Sequence, residues 1–182
     1  KELDSRGFEI FLDLKFHDIP NTVYEAVRSA ADLGVWMINV HASGGKNMLE
    51  ASKNALIDFD EPPLLIAVTL LTSLSENSLQ EIGLNNLSEQ VLRLAKLSHE
   101  CELDGVVCAS SDTATIKQEF GEEFITVTPG IRPDQSNLND QSRVSTPSEA
   151  IKNGSDFLVI GRPITESDDP AGALKDIYKQ IL

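Results

Sequence analysis

The chain has 182 residues, enough for one domain with a sizeable core, and its balance of 41% apolar to 24% charged residues is ordinary for a globular protein. Its formal net charge is −14 and its 15 Lys and Arg residues are scattered, which argues against nucleic acid or an anionic membrane as partner. No apolar run approaches the ~20 residues of a membrane-spanning helix, and the opening KELDSRGFEI has no apolar signal core, so a cytoplasmic location is expected.

Lys1–Gly7 reads as the tail of a helix running into a first strand at Ile10–Leu14. Further strands are predicted at Val35–Val40, Leu64–Thr69, Gly105–Ala109, Phe124–Thr128 and Asp156–Ile160. These runs are short and mostly apolar without strict alternation, as strands buried on both faces are. A helical pattern follows each of them. Val23, Ala26, Val27 and Ala30 share one face, with Gly34 placed to end that helix. Leu87, Val91, Leu94 and Ala95 mark a longer helix reaching Glu102. Thr146-Pro147-Ser148-Glu149 spells a capping box with proline at the first helical position, and Gly154 closes that helix. The last helix spans Pro170–Leu182.

Strict alternation of strand and helix gives a parallel α/β sheet, either doubly wound or closed into a barrel. No Gly-x-Gly-x-x-Gly follows any strand, which weakens a dinucleotide-binding reading. Residues 1–182 are expected to form a single domain. An eight-unit barrel runs to ~250 residues, so the six units read here leave roughly two unaccounted for. Cys101 and Cys108 have neither Cys-x-x-Cys spacing nor a histidine at metal-ligand spacing, and read as buried free thiols of a reducing compartment.

In parallel βα folds the chemistry gathers at the C-terminal ends of strands, and the unusual polar residues of this chain fall there. The first strand ends in Asp13-Leu14-Lys15-Phe16-His17-Asp18 and the second at His41. Strand periodicity points Asp13 and Lys15 the same way. They are either a plain ion pair or a carboxylate and an ammonium facing one ligand, with Lys15 as general acid. Arg132 and Gly161-Arg162 follow the last two strands, where barrels often hold a phosphate. A glycine admits backbone amides and an arginine supplies a forked clamp; the bland alternative is an exposed surface arginine. The polar stretch from Gly130 to Ser142 reads as a lid or binding loop. His17 and His41 suit supporting or packing roles, and His99 a helix-end position.

The run FLDLKFHDIPNT (Phe11–Thr22) resembles the Asp-x-Lys-x-x-Asp signature of bacterial orotidine 5'-phosphate decarboxylases. VHASGG (Val40–Gly45), VTLLTS (Val68–Ser73), TPGIRP (Thr128–Pro133) and IGRPI (Ile160–Ile164) follow in that family's order. The resemblance implies a (β/α)8 TIM-type barrel of which the third to eighth units are present. It implies conversion of orotidine 5'-phosphate to uridine 5'-phosphate and CO2 without cofactor or metal. Asp13 and Lys15 would be the substrate-facing aspartate and the proton-donating lysine. Asp18, Ile19 and Thr22 would reach the active site of the partner in a homodimer. Thr72 would lie at the pyrimidine edge, Gln141 would touch the phosphate, and Arg132, Gly161 and Arg162 would bind it.

The family also carries an aspartate on its first strand and a lysine on its second, and neither strand is found here. Little or no turnover is therefore expected from these 182 residues alone. The rival readings are a Mg2+-dependent phosphosugar decarboxylase or aldolase of the same superfamily, and a non-catalytic phosphate-ligand module.

Overall fold

The computed structural model describes residues 2–133 and 143–182. They divide into two compact units, one within residues 2–69 and 92–106 and the other within residues 70–91, 107–133 and 143–182.

The first unit opens with a single 3-10 turn, Asp4–Arg6, and then strand β1 (Phe11–Phe16). Helix α1 (Pro20–Ala31) starts at a proline, where the missing N–H costs nothing. It buries Val23, Val27, Ala30 and Ala31 and leaves Ala26 half-buried at the margin of that face. Strand β2 (Met37–His41) pairs in parallel with both β1 and β3 (Leu64–Val68). Between β2 and β3 lies helix α2 (Lys46–Asn54). Its approach explains one glycine of the VHASGG run, because a Cβ on Gly44 would collide with the buried Met48 side chain. Ile38, Val40, Leu65 and Ala67 join the buried faces of α1 and α2, with Cys101 and Leu103, in one core.

In the second unit, helix α3 (Glu76–Glu81) follows β3, and helix α4 (Leu87–Glu100) continues from this unit into the first. His99 lies exposed in the last turn of α4, as anticipated. Strand β4 (Gly105–Val107), whose first two residues count with the first unit, runs on into Cys108, whose N–H bonds Val127 O of β5 (Ile125–Thr128). Helix α5 (Ser110–Phe120) precedes β5, and α6 (Pro147–Lys152) precedes β6 (Phe157–Leu158). Both halves of the α6 capping box form: Thr146 Oγ1 accepts from Glu149 N, and Glu149 accepts from Thr146 N. Helices α7 (Arg162–Thr165) and α8 (Pro170–Lys179) close the chain, and α8 is shorter than the sequence suggests by its last three residues.

All six strands fall where the apolar runs predict, with shifted ends. Strand β1 runs two residues further, through Lys15 and Phe16. The last strand is narrower than Asp156–Ile160, although the Val159 N–H still bonds Thr128 O.

Both units use one device where strands begin. Asp104, just before β4, accepts from Leu65 N of β3 and pairs with Lys53 of α2. Asp156, just before β6, accepts from Thr126 N of β5 and pairs with Lys117 of α5. In each unit a carboxylate accepts from the second residue of the neighbouring strand and pairs with a lysine of the helix that leads into that strand.

Candidate active site

In the first unit the end of β1 is irregular. Phe11 stands opposite Met37 and Leu12 opposite Ile38, but the next partner pair is Phe16 with Val40. Asp13, Leu14 and Lys15 therefore all face the single residue Asn39. Lys15 accommodates the surplus by adopting φ +53, a left-handed conformation that L-residues with long side chains rarely take. Such strain persists where the surroundings over-determine it, and it concentrates at functional sites.

Asn39 supplies that determination. Its side chain is fully buried, and its Oδ1 accepts from the Lys15 backbone N–H at 2.8 Å. Its Nδ2 donates to Asp13 Oδ1 at 2.5 Å. The same carboxylate oxygen accepts from Lys15 Nζ at 2.6 Å. Asp13 and Lys15 thus meet as anticipated, but by way of a bulge rather than a regular pleat. Both side chains keep more than a third of their surface open, so the pair is reachable by a ligand.

Two histidines adjoin this pair. The rings of His17 and His41 lie 5.2 Å apart, tilted by 35°. Burial pushes the His41 imidazole below its ordinary value, helped by the charges of His17 and Lys15 and opposed by Asp13. His41 is thus held toward its neutral form beside a cation.

The residues that follow are solvent-facing. Asp18 turns Oδ1 back to the Ile19 N–H at 2.7 Å. Ile19 stands at the N-cap of α1 with 67% of its surface exposed, and Thr22 is exposed as well.

In the second unit, Thr72 lies buried beyond the end of β3. Arg132 is 5% exposed, which removes the surface-arginine alternative for this residue. Its Nη1 donates to Ile131 O at 2.9 Å, and its backbone N–H bonds Ser145 O. Gly130, at φ +79, makes the turn that leads from β5 to Ile131 and Arg132. Gly161 caps α7, accepting from the N–H groups of Ile164 and Thr165, and a Cβ added there would meet open space. Arg162 is half-buried. Gln141 lies outside the described residues, as does most of the polar stretch after Pro133.

Two features had escaped the sequence reading. Asn39 is one, and its trace was a polar residue inside the apolar run Met37–Val40. The other is Arg143, whose Nη1 lies 2.7 Å from Asp112 in a largely buried ion pair and whose Nη2 donates to Leu71 O at 3.5 Å. Burial pushes the Asp112 carboxyl up, and Arg143 works against that shift. Cys101 and Cys108 are free and buried, as anticipated. Among the described residues no three His, Cys, Asp or Glu side chains gather as a metal site would need, and no helix is long and apolar enough to cross a membrane.

The family model described as "Orotidine 5'-phosphate decarboxylase / HUMPS family" matches residues 1–177. The chain belongs to this family. An orotidine 5'-phosphate decarboxylase of Dichelobacter nodosus is 58% identical over 181 residues, covering 99% of this chain and 79% of that relative. That of Vibrio parahaemolyticus is 56% identical over 183 residues, covering 100% of this chain and 78% of the relative. Among solved structures, orotidine 5'-phosphate decarboxylase of Lactobacillus acidophilus superposes with a TM-score of 0.84 at 40% identity. That superposition covers 99% of this chain and 78% of the other. The fold class is accordingly the (β/α)8 TIM-type barrel of the decarboxylase family, with six of the eight βα units in this chain.

Proposed function

We propose that this chain carries the decarboxylation site of an orotidine 5'-phosphate decarboxylase, a cytoplasmic carboxy-lyase of pyrimidine synthesis that works without a cofactor. The observation that carries the reading is the Lys15 ammonium held 2.6 Å from Asp13 at a strand end, on a backbone forced into the left-handed region. A surface ion pair needs no such strain. The names of the relatives agree with this chemistry.

Loss of CO2 from the orotate ring leaves an electron pair on a ring carbon with no conjugated sink. The barrier then falls through charges fixed before the reaction begins. In this proposal Lys15 stabilises the forming carbanion and delivers the proton that replaces CO2. Asp13 holds the ammonium in place and stands against the departing carboxylate. Asn39, as a second donor to the same oxygen, keeps that carboxylate anchored. Arg132, Gly161 and Arg162 take the phosphate, with Gln141 as a further contact and Thr72 at the pyrimidine edge. Phosphate binding far from the reacting carbon supplies energy for ordering the site. Asp18, Ile19 and Thr22 reach the site of a partner subunit in a homodimer, a role their exposure supports.

The test follows the loss of orotate absorbance with the 182-residue chain. It is repeated with the same chain preceded by the first two strand–helix units of the Vibrio parahaemolyticus relative. Little or no turnover is expected from the first protein and clear turnover from the second, unchanged by a chelator. Absence of turnover from both would remove the proposal. Loss of turnover on chelation would favour a Mg2+-dependent phosphosugar enzyme of the superfamily instead.

A further inference from the structure

We infer that Asn39 is a positioning residue of the decarboxylation site, whose side-chain amide builds the left-handed bulge that aims Lys15. This rests on the function proposed above and adds to it the part of the site that fixes the lysine.

The argument begins with the register. Three residues of β1 face one residue of β2, so the ladder cannot satisfy every main-chain group between Leu12 and Phe16. A buried N–H without a partner is costly. The Lys15 N–H is answered by the Asn39 side chain instead of the β2 backbone. The other end of the same amide donates to Asp13. One planar group therefore ties the backbone of the lysine to the side chain of the aspartate that holds its ammonium.

Few side chains do both tasks from that place. An acceptor and a donor must sit at opposite corners of a short planar group, which asparagine provides. Aspartate keeps the acceptor but turns a second carboxylate toward Asp13. Serine is too short to span both partners, and leucine fills the space while leaving the N–H and the carboxylate unmet. Asn39 is fully buried on the central strand of the first unit, so it has no solvent-facing role to explain its polarity.

The experiment compares Asn39→Ala and Asn39→Asp with the parent, all in the protein extended by the first two units. Amide exchange by NMR reads the bulge, and steady-state kinetics reads the consequence. In Asn39→Ala the Lys15 amide should exchange about tenfold faster or more, while amides elsewhere on β2 and β3 keep their protection. Its kcat should fall about a hundredfold, the cost of misplacing a reacting group by an ångström, with KM little changed. Asn39→Asp is isosteric and retains the acceptor, so its Lys15 amide should stay protected while kcat falls as far.

A merely structural role predicts a different pattern. Protection would then drop across the strand and kcat would follow the folded fraction. Unchanged Lys15 exchange in Asn39→Ala, or near-parent kcat in both variants, would overturn the inference. If the parent itself shows no turnover, the proposed function fails, and the Lys15 exchange comparison alone decides whether Asn39 builds the bulge.

Discussion

The ammonium of Lys117 lies 2.7 Å from Oδ2 of Asp156, with only 5% of the lysine side chain exposed against 35% of the aspartate. Lys117 also donates to the carbonyls of Glu122 and Phe124, and Asp156 accepts from the N–H and hydroxyl of Thr126. The two ends of this pair are therefore unequal. Removing the carboxylate strands a buried cation on two carbonyls, whereas removing the ammonium leaves a partly hydrated anion with two donors. Asp156→Asn should cost about 3 kcal/mol, in the range for breaking a buried pair. Lys117→Met should cost about 1 kcal/mol, nearer the value for an exposed one. Urea unfolding of both variants measures the difference, and the reverse order would show that hydration does not shelter Asp156.

Lys15 offers a separation of stability from chemistry. Lys15→Ala removes the ammonium but keeps the left-handed strain of a residue with a Cβ, at φ +53. Lys15→Gly removes both. In the protein extended by the first two strand–helix units, both variants should lose decarboxylation while still binding the nucleotide, since the lysine acts on charge that appears during the reaction. The glycine variant should be the more stable of the two by about 1 kcal/mol, the scale of the left-handed penalty. Equal stabilities in thermal unfolding would mean the backbone relaxes in Lys15→Ala. Retained turnover in either would take Lys15 out of the acid's role.

How much of this was legible beforehand depends on how local each signal is. Strands buried on both faces read as short, mostly apolar runs, so β3 declared itself as the unbroken run Leu64–Val68 and β2 and β5 as runs broken only by Asn39 and by Thr126 and Thr128. The capping box at Thr146 and Glu149 is written within four adjacent residues and needed no tertiary information. The meeting of Asp13 and Lys15 was foreseen from strand periodicity, yet the pleat that periodicity assumes is absent there. The bulge depends on which residues of β2 stand opposite, and a register between segments 24 or 26 residues apart leaves no local mark. Asn39 carried a mark, a buried polar side chain in an apolar strand, but its partners depended on that same register. Arg132 could be either a surface arginine or a ligand, because sequence says little about the burial of a residue just past a strand.

Arg162 tests the proposed phosphate set. It opens α7 directly after Gly161, whose Cα faces open space. If the two bind the phosphate, Arg162→Ala in the extended protein should lose about 3 kcal/mol of transition-state stabilisation, the upper range for a charged hydrogen bond. The loss should appear in kcat/KM with orotidine 5'-phosphate and shrink for a substrate lacking the phosphate. An unchanged kcat/KM would place the phosphate elsewhere.

Cys108 ties stability to alkaline pH. Its thiol is fully buried, and burial, with a smaller push from Asp112, raises it from the ordinary 9.0 to about 12. A raised acid holds its proton longer when folded than when unfolded. Below its unfolded value both states bind the proton, so stability is unaffected there. Between that value and about 12 only the unfolded chain releases it, so stability falls as pH rises. The limiting slope for one such group is about 1.4 kcal/mol per pH unit. Cys101 is also raised, by burial first and then by Glu50, but it is not so deeply enclosed. Urea unfolding between about pH 8 and 11 should therefore show a steep alkaline loss in the parent that flattens in Cys108→Ala and less so in Cys101→Ala. Parallel curves for parent and Cys108→Ala would mean that the thiol is reached by solvent before the protein unfolds.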